Sequence, residues 1–473
     1  MNTTSFVIAS PSASPSETSQ LAKLGEWLKS HRSLIITTQW AILLVYLVLV
    51  AVPVFLPLPQ QGATLLNNLT LFAQFVFWGI WWPFVMLSMM FVGRVWCGWL
   101  CPEGFLSEQA SRIGLGRTPP RWIRWTGWPF FAFVCTTVYG QLVTVYEYPK
   151  AWLLILGGST VVAVIVGLIW GKGKRVWCRY LCPANGIFGL LARMAPLHFR
   201  ADPIAWDQYK DKNETAPQAQ AVNCAPMLKL RIANSNVRCH MCASCAGHRN
   251  AVALAGRAPG SEIIALSGRD TNPWEVRLLL FGLIGVANGA LQWTASPWLV
   301  KAKIAAAEWL LAHEIHAPLS DDIPWWVLTH YPEVNDVFTW LDGAIILGYI
   351  GATSIVVGGW MWLWLRIAAA LLRVRGDHLR LAHGLVPLAG IGVFLGLSAL
   401  SVTILSGDGV RIPGLPWMRG ALLAIGAVAA LWLGRKLIAR APAPPARRFA
   451  AWLAYAVATS AGVVPWVFMF YLW

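Results

Sequence analysis

The chain is dominated by apolar runs, nine of them long enough to cross a bilayer: roughly 33–56, 70–92, 125–146, 151–170, 276–299, 341–370, 383–405, 417–437 and 449–472. A spanning helix needs about 20 mostly apolar residues, because hydrocarbon offers no partner for an unbonded backbone group. The composition agrees: 57% of residues are apolar and only 12% are charged, about half the charged share of an ordinary soluble domain. Mean hydropathy is +0.56. The 29 Trp suit the membrane–water interface.

The basic residues set an orientation. Thirty-seven Lys and Arg against 21 Asp and Glu give a net charge of +16. On a soluble protein that excess would raise nucleic-acid binding. Here it crowds into particular stretches: Lys23, Lys29 and Arg32, then Arg94 to Arg124, 171–275, Arg373 to Arg380, and Arg435 to Arg448. The intervening connections are poor in positive charge: 57–69 has none, 147–150 has Lys150, and 406–416 has Arg411. Segment 300–340 offsets Lys301 and Lys303 with six acidic residues. The alternation predicts an all-α polytopic protein with about nine transmembrane helices, N-terminus in and C-terminus out. No partner nucleic acid is expected. Walker A, G-x-G-x-x-G and G-x-S-x-G patterns are all missing from the sequence, so neither a nucleotide enzyme nor a serine hydrolase is indicated.

An octapeptide recurs. Val95-Trp96-Cys97-Gly98-Trp99-Leu100-Cys101-Pro102 returns as Val176-Trp177-Cys178-Arg179-Tyr180-Leu181-Cys182-Pro183. Each copy follows a pair of spans and precedes an amphipathic stretch, with Phe105, Leu106 and Ile113 in the first and Ile187, Leu190, Leu191 and Met194 in the second. The unit of two spans, a cysteine loop and a short helix is therefore duplicated in parallel. The expected division is a disordered cytoplasmic tail over 1–32, a duplicated membrane module over 33–197, a cytoplasmic cluster segment over 198–275 that begins polar (Asp202 to Gln220), and a C-terminal membrane module over 276–473 with an outer segment 300–340.

Eight of the nine cysteines sit in or near close-spaced motifs on loops assigned to the reducing cytoplasm, where metal or cluster ligation is a better use than disulfides. Four soft thiolates hold one [4Fe–4S] cluster, and bacterial ferredoxin runs end in C-x3-C-P. Zinc sites favour C-x2-C and lack the Cys-Pro ending. Cys239-x2-Cys242-x2-Cys245 opens like a ferredoxin run, but Arg249-Asn250 stands where Cys-Pro would complete it. A fourth ligand must come from elsewhere, and Cys224 is a candidate. Setting aside Cys135, inside a span and expected to be a small buried residue, eight cysteines predict two [4Fe–4S] clusters. Two partitions stay open. In one, Cys97, Cys101, Cys178 and Cys182 form one set and Cys224, Cys239, Cys242 and Cys245 the other. In the alternative, each C-x3-C-P pair is split between clusters. His240 and His248 are expected to tune the clusters by hydrogen bonding.

On the outer side, His313, His316 and His330 stand with Glu314, Asp321, Asp322, Glu333 and Asp336. The set suits iron, copper or haem ligation, or else a solvated acidic loop. No span carries a mid-depth histidine, so an intramembrane haem has no ligand, and a lipid-soluble quinone, a partner subunit or an outer haem is needed to carry electrons across.

On these motifs the chain resembles the NapH/NosR-type membrane ferredoxins, a group that includes the CcoG/RdxA proteins, over roughly 33–260. The resemblance rests on Cys97, Cys101, Cys178 and Cys182 and on Cys239, Cys242 and Cys245. The chain departs from it in lacking a second full ferredoxin run and in adding four C-terminal spans. The layout is most similar to the polyferredoxin of bacterial four-component ferrous iron uptake systems. That resemblance implies a multi-pass protein of the bacterial inner membrane, an electron-transfer component rather than a stand-alone enzyme. It implies partnership with an iron permease, periplasmic redox or iron-binding proteins and a cytoplasmic electron carrier. The alternatives are a redox assembly or maturation factor for a respiratory or copper enzyme, and a non-redox metal transporter; few ionisable residues lie in the spans to line a transport path.

Overall fold

A computed structural model describes residues 19–60, 62–209, 221–266, 272–373 and 377–473. The protein is largely helical, with two small antiparallel sheets. Among the described residues, eight helices are long and apolar enough to cross a membrane: Arg32–Phe55, Leu69–Val92, Pro149–Trp170, Pro273–Ala295, Trp340–Leu372, His378–Gly407, Leu415–Ala439 and Pro445–Leu472. The remaining expected span contains helix Trp128–Leu142, which has 15 residues, or about 22 Å of rise. One end lies beside Trp274, where Trp125 packs on it with ring centroids 5.2 Å apart. At the other end the Leu142 carbonyl accepts from Thr329 N at 2.9 Å.

The two membrane modules share one core. Met86, Met89 and Met90 of the first module, Ile187 and Leu190 after the second motif, Leu278 to Leu280, and Met361, Leu388, Leu433 and Tyr455 of the last spans form a continuous apolar cluster. His383 is fully buried at the junction, with its Nδ1 against the Leu379 carbonyl at 2.9 Å and its Nε2 3.8 Å from Glu275. Arg193 bonds Glu275 at 2.8 Å and lies 3.7 Å from Glu262. Ion pairs thus tie the end of the second motif helix, the intervening segment and the last module together.

The segment between the two modules is built on strands Leu197–Ala201 and Val252–Gly256, paired antiparallel from Leu197↔Gly256 to Ala201↔Val252. Phe199, Val252 and Leu254 face a small core with Cys239, Met241 and Ala246. The stretch 20–30, expected to be disordered, forms helix Gln20–Ser30. Its Leu21 and Leu28 pack into this core, and Lys29 Nζ donates to the Ala246 carbonyl at 2.8 Å. The expectation failed because the helix gains its partner only from a strand more than 200 residues away. Residues 1–18 and the polar stretch 210–220 lie outside the described residues.

In segment 300–340 and just before it, helix Pro297–Ala312 keeps Trp298, Ile304, Trp309 and Leu311 exposed, and strand His330–Tyr331 pairs with Asp336–Val337.

Candidate functional site

Each C-x3-C motif sits on a wide helical turn. Cys101 N donates to the Trp96 carbonyl at 2.9 Å and Cys182 N to the Trp177 carbonyl at 3.0 Å, five residues back in each case. Such turns recur at functional sites. Pro102 then takes the first position of helix Pro102–Arg112, where a missing N–H costs nothing.

The turns of the two copies meet. Helix Pro102–Arg112 packs on helix Gly158–Trp170. A Cβ added to Gly104 would lie 3.4 Å from Cys178 Sγ and 3.5 Å from Cys101 Sγ. One sulfur from each copy, Cys101 and Cys178, therefore lies against Gly104. Cys178 has Cys97 as a charge neighbour, and Cys182 has Cys178, Cys101 and Cys97. Cys239 and Cys245 instead interact with Cys242 and Cys224. The charge neighbours thus fall into two sets, Cys97, Cys101, Cys178 and Cys182 in one and Cys224, Cys239, Cys242 and Cys245 in the other.

The second group sits in a strained loop. Met227, Met241, Ala243, Arg249 and Asn250 all adopt positive φ between 53° and 58°, a conformation that costs a non-glycine residue about 1–2 kcal/mol. Backbone turned this way points successive N–H groups inward, as anion-binding loops do. Three N–H groups lie near sulfur: Met241 N to Cys239 at 3.5 Å, Leu228 N to Cys224 at 3.4 Å and Gly104 N to Cys101 at 3.4 Å. Hydrogen bonds of this kind tune cluster potential.

The two groups are mechanically coupled. A Cβ on Gly98 would lie 2.0 Å from the His240 carbonyl oxygen, so glycine is required where the cytoplasmic loop seats on the first motif. Trp99 Nε1 donates to the Met241 carbonyl at 3.0 Å, and Gln39 Nε2 to the Gly98 carbonyl at 2.9 Å. Burial, with Arg94, Arg175 and Arg179 nearby, holds the His240 imidazole neutral, its pKa well below the usual range.

Two arginines escaped the reading of the motifs. Arg94 and Arg175 each precede Val-Trp-Cys, so the repeat extends one residue further upstream than the octapeptide. Both are buried. Arg94 donates through Nη1 to the Val237 carbonyl at 2.6 Å and through Nη2 to Asn185 Oδ1 at 2.9 Å, and Nη2 lies 3.6 Å from Cys97 Sγ. Arg175 donates through Nε to Glu108 at 2.7 Å and through Nη1 to the Cys97 carbonyl. They set two fixed positive charges beside the first thiolate group. Glu103 is a third residue that was missed. Its carboxyl accepts from Ser159 and from Trp177 Nε1 at 3.2 Å, and burial pushes its pKa up.

A large cavity of about 540 Å³ opens from this carboxyl into the membrane region. Cys101, Glu103 and Cys182 line its inner end and Tyr139, Val145 and Tyr146 its far end, with Trp81, Trp82 and Phe188 along the walls. Cys135 also lines it, on an exposed face of its helix. This corrects the expectation of a buried Cys135: an apolar residue in a span satisfies the bilayer as readily as a protein core.

All nine cysteines are free thiols. Among the described residues no three His, Cys, Asp or Glu side chains converge closely enough for a single metal ion. Two sets of four thiols spread around a space suit a cluster, in which each thiolate bonds its own iron. The outer histidines do not come together. His313 is exposed, its Nδ1 2.8 Å from the Trp309 carbonyl. His316 is exposed, and His330 lies in the short outer strand.

Comparison with known proteins agrees with this geometry. Residues 74–121 and 151–201 each match the Fer4_5 family, the 4Fe-4S binding domain. Both matched segments thus resemble the cluster-binding parts of ferredoxin-type proteins. It is similar to YccM of Escherichia coli (strain K12), whose name proposes electron transport, at 24% identity over 234 residues, 44% of this chain and 62% of YccM. It is 27% identical over 120 residues to the methylamine utilization ferredoxin-type protein MauN of Methylorubrum extorquens, covering 23% of this chain and 42% of MauN. NirI of Paracoccus denitrificans is 29% identical over 137 residues, 24% of this chain and 19% of NirI. The chain covers less than two thirds of each of these relatives. No solved structure gives a significant match.

Two outcomes follow from the site. Gly98→Ala is expected to lift the 239–245 loop from the first motif, costing about 1–3 kcal/mol. The measurement is melting temperature in detergent together with iron per chain, and both should fall. In the cluster-free protein, burial pushes the Cys178 and Cys239 thiols from the ordinary 9.0 up to about 12. The folded chain then holds these protons more tightly than the unfolded one. That stabilisation is complete below pH 9 and is lost as pH climbs from 9 to about 12. Denaturation midpoints of the cluster-free protein should drop across that interval more than those of a Cys178→Ser/Cys239→Ser variant.

Proposed function

We propose that the protein is an iron–sulfur electron-transfer protein of the bacterial inner membrane. In this reading Cys97, Cys101, Cys178 and Cys182 hold one [4Fe–4S] cluster and Cys224, Cys239, Cys242 and Cys245 a second. The observation that carries it is the meeting of Cys101 from one motif copy and Cys178 from the other beside Gly104. Such clusters supply one-electron exchange. The chain's own residues set the conditions: Arg94 and Arg175 offset negative charge, backbone N–H groups meet the sulfurs, and Trp96, Trp99 and Trp177 limit water.

The cavity gives the reading a route into the bilayer. Its volume is within the range for a drug-sized ligand; its walls are aromatic and aliphatic, and a carboxyl and two cysteines stand at one end. A quinone-class carrier seated there exchanges two electrons and two protons, one electron for each cluster. In this reading the chain crosses nine times with its N-terminus inside, and both cysteine groups face the cytoplasm. Tyr139, which donates to the Trp326 carbonyl near the outer segment, supports counting Trp128–Leu142 among them.

The layout further suggests service to a periplasmic iron-uptake system, with segment 300–340 docking the redox or iron-binding partner beside an iron permease, and a cytoplasmic carrier as the other redox partner. A role as redox assembly or maturation factor for a respiratory or copper enzyme is the second reading, implied by the resemblance to NapH/NosR-type membrane ferredoxins.

Anaerobically purified protein is expected to hold about eight iron and eight sulfide, as two [4Fe–4S] clusters require. Reduced protein should give a fast-relaxing EPR signal, and in nanodiscs a quinol should reduce it until Thr136→Trp fills the cavity. Zinc without acid-labile sulfide would overturn the reading. The iron-uptake setting is tested by growth: Cys242→Ser should slow iron-limited growth severalfold, and normal growth would remove that role while leaving electron transfer standing.

A further inference from the structure

A second, smaller cavity of about 190 Å³ opens on the other side of the first cysteine group. Cys178 forms part of its floor, and Arg94, Arg124, Arg179, Arg238 and His240 form its walls. The one carboxylate lining it, Glu275, is already engaged by Arg193 at 2.8 Å. Four guanidinium groups therefore share a concave space with no free counter-charge among the described residues.

Their hydrogen-bonding capacity is not used up. Arg94 is 1% exposed and His240 2%, yet Arg94 Nε and His240 Nδ1, together with Arg179 Nη1, are buried without a hydrogen-bond partner. Arg179 has Arg238 and Arg94 as like-charge neighbours. Arg124 and Arg238 are exposed at the rim and Arg179 is half-buried; like charges crowded around a buried one are costly unless a partner of opposite charge joins them. At the mouth, Trp125 and Trp274 pack edge to face, and the Arg277 guanidinium lies 4.4 Å over Trp274. Aromatic rings of this kind mark the membrane–water interface, which puts the pocket at headgroup depth.

We propose that this pocket binds a phosphate-class oxyanion, held by Arg124, Arg179 and Arg238 above Cys178. The planar fork of arginine matches phosphate oxygens two at a time. The volume is smaller than that of a drug-sized site, so a compact charged group is selected over a whole cofactor. Basic pockets between membrane helices on the cytoplasmic side take lipid headgroups, and soluble phosphate offers the same chemistry. Binding itself does not depend on the cluster reading. Its consequence does: a negative charge beside Cys178 opposes an arriving electron, so an occupied pocket lowers the reduction potential of the nearby centre.

The test uses the full chain in nanodiscs of phosphatidylcholine alone or with phosphatidylglycerol. Native mass spectrometry reads retained lipid, and equilibrium dialysis reads labelled pyrophosphate. Wild type is expected to retain phosphatidylglycerol or to bind pyrophosphate saturably. Arg124→Ala/Arg238→Ala should weaken that binding by roughly tenfold or more for each charge-assisted contact removed. Retained lipid that pyrophosphate does not displace identifies a headgroup; saturable pyrophosphate binding in phosphatidylcholine identifies a soluble source. Should the double variant fold poorly, Arg124→Lys, which keeps the charge and loses the fork, should still weaken binding measurably. Binding of neither probe, or equal binding by wild type and variants, would overturn the proposal. Iron and sulfide content, measured on the same samples, reports separately on the clusters.

Discussion

Four thiols from two stretches of chain must reach one point, and buried charge is the constraint around which the rest is arranged. Thiolates gathered in a low-dielectric space repel one another and lose their hydration. Arg94 and Arg175 answer that cost from inside the fold. Each is locked by carbonyl or carboxyl partners, Val237 and Asn185 for one and Glu108 for the other. Because Val237 belongs to the segment that carries Cys239, Cys242 and Cys245, the charge that serves the first cysteine group also anchors the loop carrying the second. The small residues follow from the same demand for closeness, with Gly104 admitting two sulfurs and Gly98 admitting a carbonyl.

Much of this was legible in the sequence because membrane spans and cysteine spacing are local signals. Apolar runs such as Leu69–Val92 announce themselves by length alone, and the repeated octapeptide marks both motif turns. What depends on distant contact was hidden. Helix Gln20–Ser30 reads as tail until Leu254 is placed against it. The partition of cysteines was undecided because spacing along a chain does not say which sulfur faces which. Arg94 and Arg175 were visible in principle, as part of the repeat, but a basic residue at the end of a span reads first as an orientation signal. Glu103 resembles an ordinary first-turn acid until Ser159 and Trp177 enclose it.

Hydropathy also reports poorly on which apolar side chains face protein and which face lipid. Cys135 and the cavity wall illustrate the point. In water a void of this size, walled by Trp81, Trp82 and Phe188, would be a liability; within a bilayer it opens onto a solvent of its own kind. The sequence shows the aromatic residues without showing that they stand back from one another.

The convergence at Gly104 has a historical consequence. A chain carrying one copy of the unit owns two of the four sulfurs and cannot complete a set. Its simplest remedy is association with an identical chain inserted in the same direction, since parallel copies bring equivalent loops to the same face. Gene duplication and fusion would then convert a symmetric pair into a single polypeptide and free the halves to diverge. Gly98 in one copy and Arg179 at the matching position of the other record that divergence: one became a seat for a neighbouring loop, the other a charge on an open pocket.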